Sequence, residues 1–164
     1  MLEIEFRRGT TEDASIITDL IKKMVTEMAN YGGHSVNNSP DAWTSMESEV
    51  RANSARQENV YLIAIQASAT PAVVGIATAN IESLENIFVP KRRLHIGAIY
   101  TIPNARRHGV ARQLLQYILE WGQQMNVSEI DLNVLVANPA RYLYEQFGFE
   151  PHEISMTRKL ESQC

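Results

Sequence analysis

Cysteine is almost missing from this chain of 164 residues, because Cys164 is the only one. A single thiol forms no internal disulfide, builds no cysteine cluster for zinc and, at that position, is no embedded nucleophile. We therefore expect a reducing, cytoplasmic setting. Long apolar runs are missing too: no stretch approaches the ~18 residues of a membrane span, and residues 1–8 lack the apolar centre of a signal peptide. We expect no membrane partner.

An excess of positive charge is also lacking, since 15 Lys and Arg face 19 Asp and Glu, for a net charge of -4. That balance argues against a nucleic-acid-binding protein. Gly-x-Ser-x-Gly, Gly-Lys-Ser/Thr and Gly-x-Gly-x-x-Gly motifs are absent, so hydrolases, NTPases and dehydrogenases lack their residues. No histidine pair has metal-ligand spacing, and we expect no metal site. The histidines are His34, His95, His108 and His152.

Hydrophobic residues make up 45% of the chain, which is enough for a sizeable core and predicts one domain over residues 1–164. Apolar periodicity and turn signals predict the order of elements. This order is a strand at 2–7, helices after Thr10 and at 40–52, an antiparallel hairpin at 60–65 and 73–79, a strand at 94–101, a helix at 107–125, a strand at 130–135, a short helix at 140–147 and a closing strand at 154–160.

The strand at 94–101 is mostly apolar, which favours a central strand covered on both faces. With the long helix and the strand that follow, it predicts a parallel pair joined by a crossover. The fold class predicted is therefore α/β, with a mixed central sheet flanked by helices.

The segment between that strand and the long helix carries the chemistry. The first turn of a helix has unpaired backbone N–H groups and the positive end of the dipole, so it can hold phosphate oxygens. Gly109 and Ala111 let a ligand approach closely, and arginines add positive charge. We predict a pyrophosphate site; a solvated basic helix start or a nucleic-acid patch is the alternative. The candidate residues are Arg106, Arg107, His108, Gly109, Val110, Ala111 and Arg112.

Two motifs in order now point to a family. Arg106-x-x-Gly109-x-Ala111 is followed by a Leu-Leu pair, and further on Asn138 precedes Leu143-Tyr144-Glu145 and a Gly-Phe pair. Both motifs resemble those of the GNAT family of N-acetyltransferases, and the order of elements agrees over nearly the whole chain. The spacing from Asn138 to Tyr144 is six residues, where seven is commoner in that family. The resemblance implies a single-domain GNAT-like fold with a strand–helix–strand unit that binds acetyl-CoA.

The resemblance also implies a reaction. Acetyl-CoA would be the acetyl donor, and the acetyl group would pass directly to an amine of a small molecule or peptide. Backbone groups of Ile99, Tyr100 and Thr101 would contact the pantetheine arm and the thioester oxygen, in the manner of an oxyanion hole. Tyr144 would protonate the departing sulfur, and Asn138 would contact the cofactor, cap its helix, or both.

Several assignments stay open. His95 is a candidate base or a core histidine, with Glu82 as the alternative base, while Tyr144 could be only a core aromatic. We expect residues 91–93 to be a solvated loop. A non-catalytic acyl-CoA-binding regulatory domain of the same fold is the second hypothesis, and a homodimer is left open. Nothing in the sequence identifies the acceptor, although acidic residues such as Glu27 and Glu49 would favour a cationic amine.

Overall fold

The computed structural model describes residues 3–160. Leu2, predicted in the first strand, and Cys164 lie outside these residues. The elements in chain order are β1 (Ile4–Arg8), α1 (Ala14–Met28), α2 (Pro40–Ser54), β2 (Asn59–Gln66), β3 (Ala72–Ser83), β4 (Arg92–Thr101), α3 (Val110–Gln124), β5 (Ile130–Leu132) and α4 (Arg141–Gln146). Within residues 3–160, no helix combines the length and hydropathy needed to cross a membrane.

The five strands form one mixed sheet in the order β1-β2-β3-β4-β5. Neighbours are antiparallel from β1 to β4, whereas β4 and β5 are parallel. The hairpin and the parallel pair predicted from the sequence are therefore confirmed, as is the α/β class with a mixed sheet flanked by helices. A strand pair joined through a helix is parallel because the connection must return to the same end of the sheet.

Each face of the sheet has its own apolar core. On one face, Leu114, Leu115 and Ile118 of α3 pack on β3 and β4, and α4 adds partly buried side chains. On the other face, Ile17 of α1 and Val50 of α2 join a smaller cluster around the sheet. Because alternate residues of a strand point to opposite faces, each strand contributes some side chains to one core and its other side chains to the other core.

Three predicted elements differ from the structure. β5 has three residues, not six, and residues 151–160 are exposed and form no closing strand. A closing strand needs the exposed edge of a neighbouring strand for its hydrogen bonds, and β5 offers an edge of only three residues. α3 begins at Val110, not at residue 107, because Arg107 (φ 66°) and Gly109 (φ 81°) have left-handed backbone that a helix cannot contain. β4 is internal but fourth of five, between β3 and β5.

The turn before α1 is anchored by a carboxylate. Asp13 Oδ2 accepts a 2.8 Å hydrogen bond from the backbone N–H of Thr10, as in a capping box. Both carboxylate oxygens also accept from Arg7, at 2.8 Å each. The hydrogen bond from Arg7 is the main reason that the pKa of Asp13 falls to about 2. The ion pair thus joins β1 to the start of α1.

Asp13 should make stability depend on pH in the acid range. Its folded pKa is lowered, so its contribution is complete above the unfolded value of about 4 and is lost as pH falls through about 2. Because Arg7 is partly exposed, we expect about 1 kcal/mol. The free energy of unfolding in denaturant would be measured at pH 7 and pH 2. Wild type should lose this contribution at pH 2, and Asp13→Asn should show no such loss. Asp19→Asn, in a half-exposed pair on α1, is the control; equal pH dependence in wild type and Asp13→Asn would contradict the prediction.

Candidate active site

The loop before α3 presents a row of backbone N–H groups. A short 3-10 turn (Pro103–Ala105) leads into Arg107 and Gly109, both with positive φ, and Gly109 is the N-cap of α3. Among the residues that the structure describes, no hydrogen bond engages the backbone amides from Arg107 to Gly109. The first amides of α3 also lack helical partners, as at any helix start. A Cβ at Gly109 would meet no atom within 4 Å, so the space above the row is open. Such a row fits an anion.

Arg106 points its guanidinium away from that row. It donates to Glu27 Oε2 at 2.6 Å and to the backbone oxygen of Thr101 at 2.9 Å. Its guanidinium carbon also lies 5.6 Å from the centre of the Tyr100 ring. Arg106 therefore ties the end of α1 to the turn after β4, and Glu27 offsets its charge. The exposed positive charge at the loop comes from Arg107 instead.

β4 and β5 separate beside this loop. Their pairing ends at Ile96 and Leu132, whereas β4 continues to Thr101. The register between β3 and β4 shifts between Ala98 and Ile96, which leaves Gly97 as a bulge. Backbone groups along a strand point alternately to its two neighbours, so those directed to the β5 side from Gly97 to Thr101 have no strand partner. Ile99, Tyr100 and Thr101 all lie in this stretch.

Tyr144 lies on α4, which packs against the same face of the sheet as α3. Its ring meets Phe149 edge to face, with centroids 6.1 Å apart. Burial raises the pKa of the Tyr144 hydroxyl, so it stays protonated at neutral pH. Arg112, in the first turn of α3, bonds to Gln146 and so places α4 next to the loop.

Asn138 caps the turn that leads into α4. Its Oδ1 accepts a 2.9 Å hydrogen bond from the backbone N–H of Ala140. The backbone oxygen of Asn138 accepts from the N–H of Arg141 at 3.2 Å. The capping use that the sequence allowed is therefore present, and a contact with a cofactor stays a prediction.

His95 stands on the opposite face, in a row of polar side chains. Its cross-strand partner is Asn80, and the next pair joins Glu82 to Arg93. His95 Nδ1 lies 2.8 Å from Oδ1 of Asp131, its partner in the parallel register with β5. Arg93 reaches Glu82 at 3.1 Å and Asp131 at 3.0 Å.

This arrangement corrects one expectation. Residues 92 and 93 were predicted in a loop but belong to β4, and Arg93 is paired with two carboxylates. Glu82, the alternative base, is one of these two carboxylates and contacts Arg93 at 3.1 Å. Asp131 was not predicted as a site residue, because its contact with His95 depends on the register between β4 and β5, which no local pattern encodes.

A polar groove of about 450 Å³ opens on the face that carries His95. Asn80, the cross-strand partner of His95, lies in its wall, so the groove extends toward the histidine. Its lining includes Glu49 and Asn53 of α2, Asn59 and Tyr61 of β2, and Thr78 and Asn80 of β3. The site thus has an amide row and an open strand gap next to α3, and a polar groove beneath α2.

Comparisons with known proteins agree with this architecture. The family model described as Acetyltransferase (GNAT) family matches residues 19–149. The uncharacterized N-acetyltransferase YsnE of Bacillus subtilis (strain 168) is 32% identical over 83 residues. That match covers 42% of this chain and 55% of the relative, so it spans about half of the relative's length.

Solved structures share the fold. A predicted acetyltransferase from Clostridium acetobutylicum, crystallised with acetyl-CoA, has a TM-score of 0.77 at 18% identity and covers 96% of each chain. The aminoglycoside N-acetyltransferase AAC(6')-Iy, in complex with the bisubstrate analogue CoA-S-monomethyl-acetylneamine, has a TM-score of 0.71 at 19% identity. That match covers 97% of this chain and 99% of the other. Within residues 3–160, no three His, Cys, Asp or Glu side chains gather as metal ligands would.

Proposed function

The chain belongs to the acetyltransferase (GNAT) family, and we propose that it transfers the acetyl group of acetyl-CoA directly to an amine of a small molecule or peptide. The observation that supports this proposal best is the open gap between β4 and β5. It lies between the amide row at the start of α3 and His95 on the far face. A donor and an acceptor could therefore meet in it from opposite faces. The domain would occupy residues 1–164, and a cytoplasmic location stays a prediction.

The donor would lie on the side of α3 and α4. The amides from Arg107 to Arg112 would hold the pyrophosphate, with Arg107 adding charge. The pantetheine arm would follow the unpaired edge of β4, as an added strand does. A backbone N–H between Ile99 and Thr101 would donate to the thioester oxygen and stabilise the oxyanion that forms during attack. Asn138 would contact the arm from the turn before α4.

The reaction needs three events. The neutral amine attacks the thioester carbon, the C–S bond of the tetrahedral intermediate breaks, and the thiolate of coenzyme A takes a proton. Tyr144 would give that proton, because burial keeps its hydroxyl protonated. His95 would remove the proton that the acceptor's ammonium group must lose before attack, directly or through one water. The nitrogen of the tetrahedral intermediate would lose a second proton to solvent, and Tyr144 would regain its proton from solvent. The acceptor would lie in the polar groove, which favours a hydrophilic amine.

A thiol-release assay tests the proposed function. The protein would be incubated with acetyl-CoA and panels of polyamines, amino sugars, amino acids and peptides, and free coenzyme A would be measured over time. We expect release that depends on one class of amine, together with an acetylated product detected by mass spectrometry. A folded protein that neither binds acetyl-CoA nor releases thiol with any panel would refute the proposal.

The kinetics should be sequential. Residues 3–160, the part of the chain that the structure describes, contain no cysteine that could hold the acetyl group, so we expect both substrates to be bound together before transfer. Initial rates at several fixed acceptor concentrations should give intersecting double-reciprocal lines. Parallel lines, or an acetylated enzyme detected after mixing with acetyl-CoA alone, would count against direct transfer.

A further inference from the structure

We propose that Asp131 is a positioning residue that fixes the tautomer of His95 and leaves Nε2 free to take a proton. This inference rests on the proposed function, in which His95 acts as the base. It concerns the cluster of His95, Asp131, Arg93 and Glu82 on the sheet face under the groove. The cluster connects β3, β4 and β5 through side-chain contacts, on the sheet face opposite the loop that we propose binds coenzyme A.

The hydrogen bond between His95 and Asp131 defines which ring nitrogen carries the proton. His95 Nδ1 lies 2.8 Å from Oδ1 of Asp131, and the other carboxylate oxygen, Oδ2, forms an ion pair with Arg93 at 3.0 Å. A carboxylate only accepts hydrogen bonds, so Nδ1 of a neutral His95 must be the donor. The other ring nitrogen, Nε2, then carries the lone pair. The contact with Asp131 engages Nδ1 and leaves Nε2 on the other side of the ring.

The place of His95 suits a proton acceptor. His95 lies one residue before Ile96, where the pairing of β4 with β5 ends, and two residues before the bulge at Gly97. Its side chain is 22% exposed, so water or a substrate reaches it. Asn80 stands across from it and lines the polar groove. A base here would meet an amine held in the groove close to the gap.

Neighbouring charges are arranged around the pair. Asp131 faces His95 from β5, Arg93 lies on β4 itself, and Glu82 faces from β3. Glu82 and Asp131 share Arg93, which holds both carboxylates in place. From α2, Glu49 lines the polar groove together with Asn80, the cross-strand partner of His95. The carboxylate that contacts the imidazole is therefore the one best oriented to control its tautomer.

The tautomer can be observed directly. In a ¹⁵N-labelled protein, two-bond ¹H–¹⁵N spectra distinguish a protonated Nδ1 from a protonated Nε2 in a neutral ring. We expect Nδ1–H for His95, with its signal assigned by its loss in His95→Gln. This measurement requires no acceptor and no turnover. A neutral His95 protonated on Nε2 would overturn the inference.

Asp131→Asn should reverse the tautomer. Arg93 can only donate, so it will hold the amide oxygen of the new asparagine. The amide NH₂ must then face His95 and donate to Nδ1, which moves the ring proton to Nε2. The lone pair would be lost from the atom that faces the substrate. We expect kcat to fall about tenfold with an unchanged Kd for acetyl-CoA.

Glu129→Gln is the matched control, because it removes one negative charge two residues away on an exposed side chain. It should leave both the tautomer and kcat unchanged. An Asp131→Asn protein with the wild-type tautomer, or a His95→Gln protein with wild-type kcat, would overturn the inference while the enzyme stays active. Failure of the proposed function would be seen differently: the wild-type protein would then release no coenzyme A from acetyl-CoA with any amine.

Discussion

Replacing Gly109 by leucine should weaken the binding of acetyl-CoA at least about tenfold, or ~1.4 kcal/mol. Gly109 has φ 81°, and a Cβ added to it would meet no atom within 4 Å. The new side chain would therefore extend into the open space above the amide row, where the proposed pyrophosphate would lie. Isothermal titration of the folded variant with acetyl-CoA measures the loss.

Gly32 provides a matched control for the cost of the backbone. It follows α1 with φ 87°, and a Cβ there would also meet nothing within 4 Å. Leucine in left-handed backbone costs roughly 1–2 kcal/mol at either position. Gly32→Leu should lose that stability and keep its affinity. Equal affinity of wild type and Gly109→Leu would exclude the loop from the site, and equal weakening in both variants would assign the effect to backbone strain.

The sequence predicted the features that depend on local patterns. Helical spacing of apolar residues located α1 and α3, and α1 does follow Thr10 as predicted. Apolar runs located β2 and β3, and the short connection between them indicated a hairpin. Each signal is complete within about 15 residues, so nothing distant was needed to interpret it.

Features that depend on distant pairing were not predictable. The contact between Arg106 and Glu27 joins residues 79 positions apart, and the one between His95 and Asp131 joins residues 36 apart. Both result from the register of packed elements, which a single sequence does not reveal. The same cause explains why the closing strand predicted at residues 154–160 does not form, since β5 is only three residues long and offers too short an edge to pair with.

The position of the loop residues shows where a motif stops being informative. Arg106-x-x-Gly109-x-Ala111 located the helix start, but it assigned the same role to every arginine in it. The structure separates them: Arg106 is held by Glu27, Arg112 contacts α4, and Arg107 remains exposed. Substituting Arg106 would therefore disturb the anchoring of the turn, whereas Arg107 is the one whose charge a phosphate could use.

Tyr144→Phe should lower kcat by at least roughly tenfold at neutral pH, with little change in the Kd for acetyl-CoA. A general acid contributes typically ~10² to 10⁴ in rate, and this substitution removes the proton donor while keeping the ring. Burial raises the pKa of the hydroxyl, so the donor is present across the neutral range. Steady-state rates and isothermal titration on the same protein sample separate the two effects.

The Tyr144→Phe experiment needs a control for changes in packing. The Tyr144 ring contacts Phe149 and the core beside α3, and phenylalanine preserves those contacts, so the melting temperature should hardly change. Tyr142→Phe, on the same helix and 57% exposed, removes an equivalent hydroxyl away from the core and should leave kcat unaltered. Product release could hide a slower chemical step, so single-turnover rates must accompany kcat. If a stable Tyr144→Phe protein keeps the wild-type single-turnover rate, the tyrosine serves only the core, and the thiolate must take its proton from water.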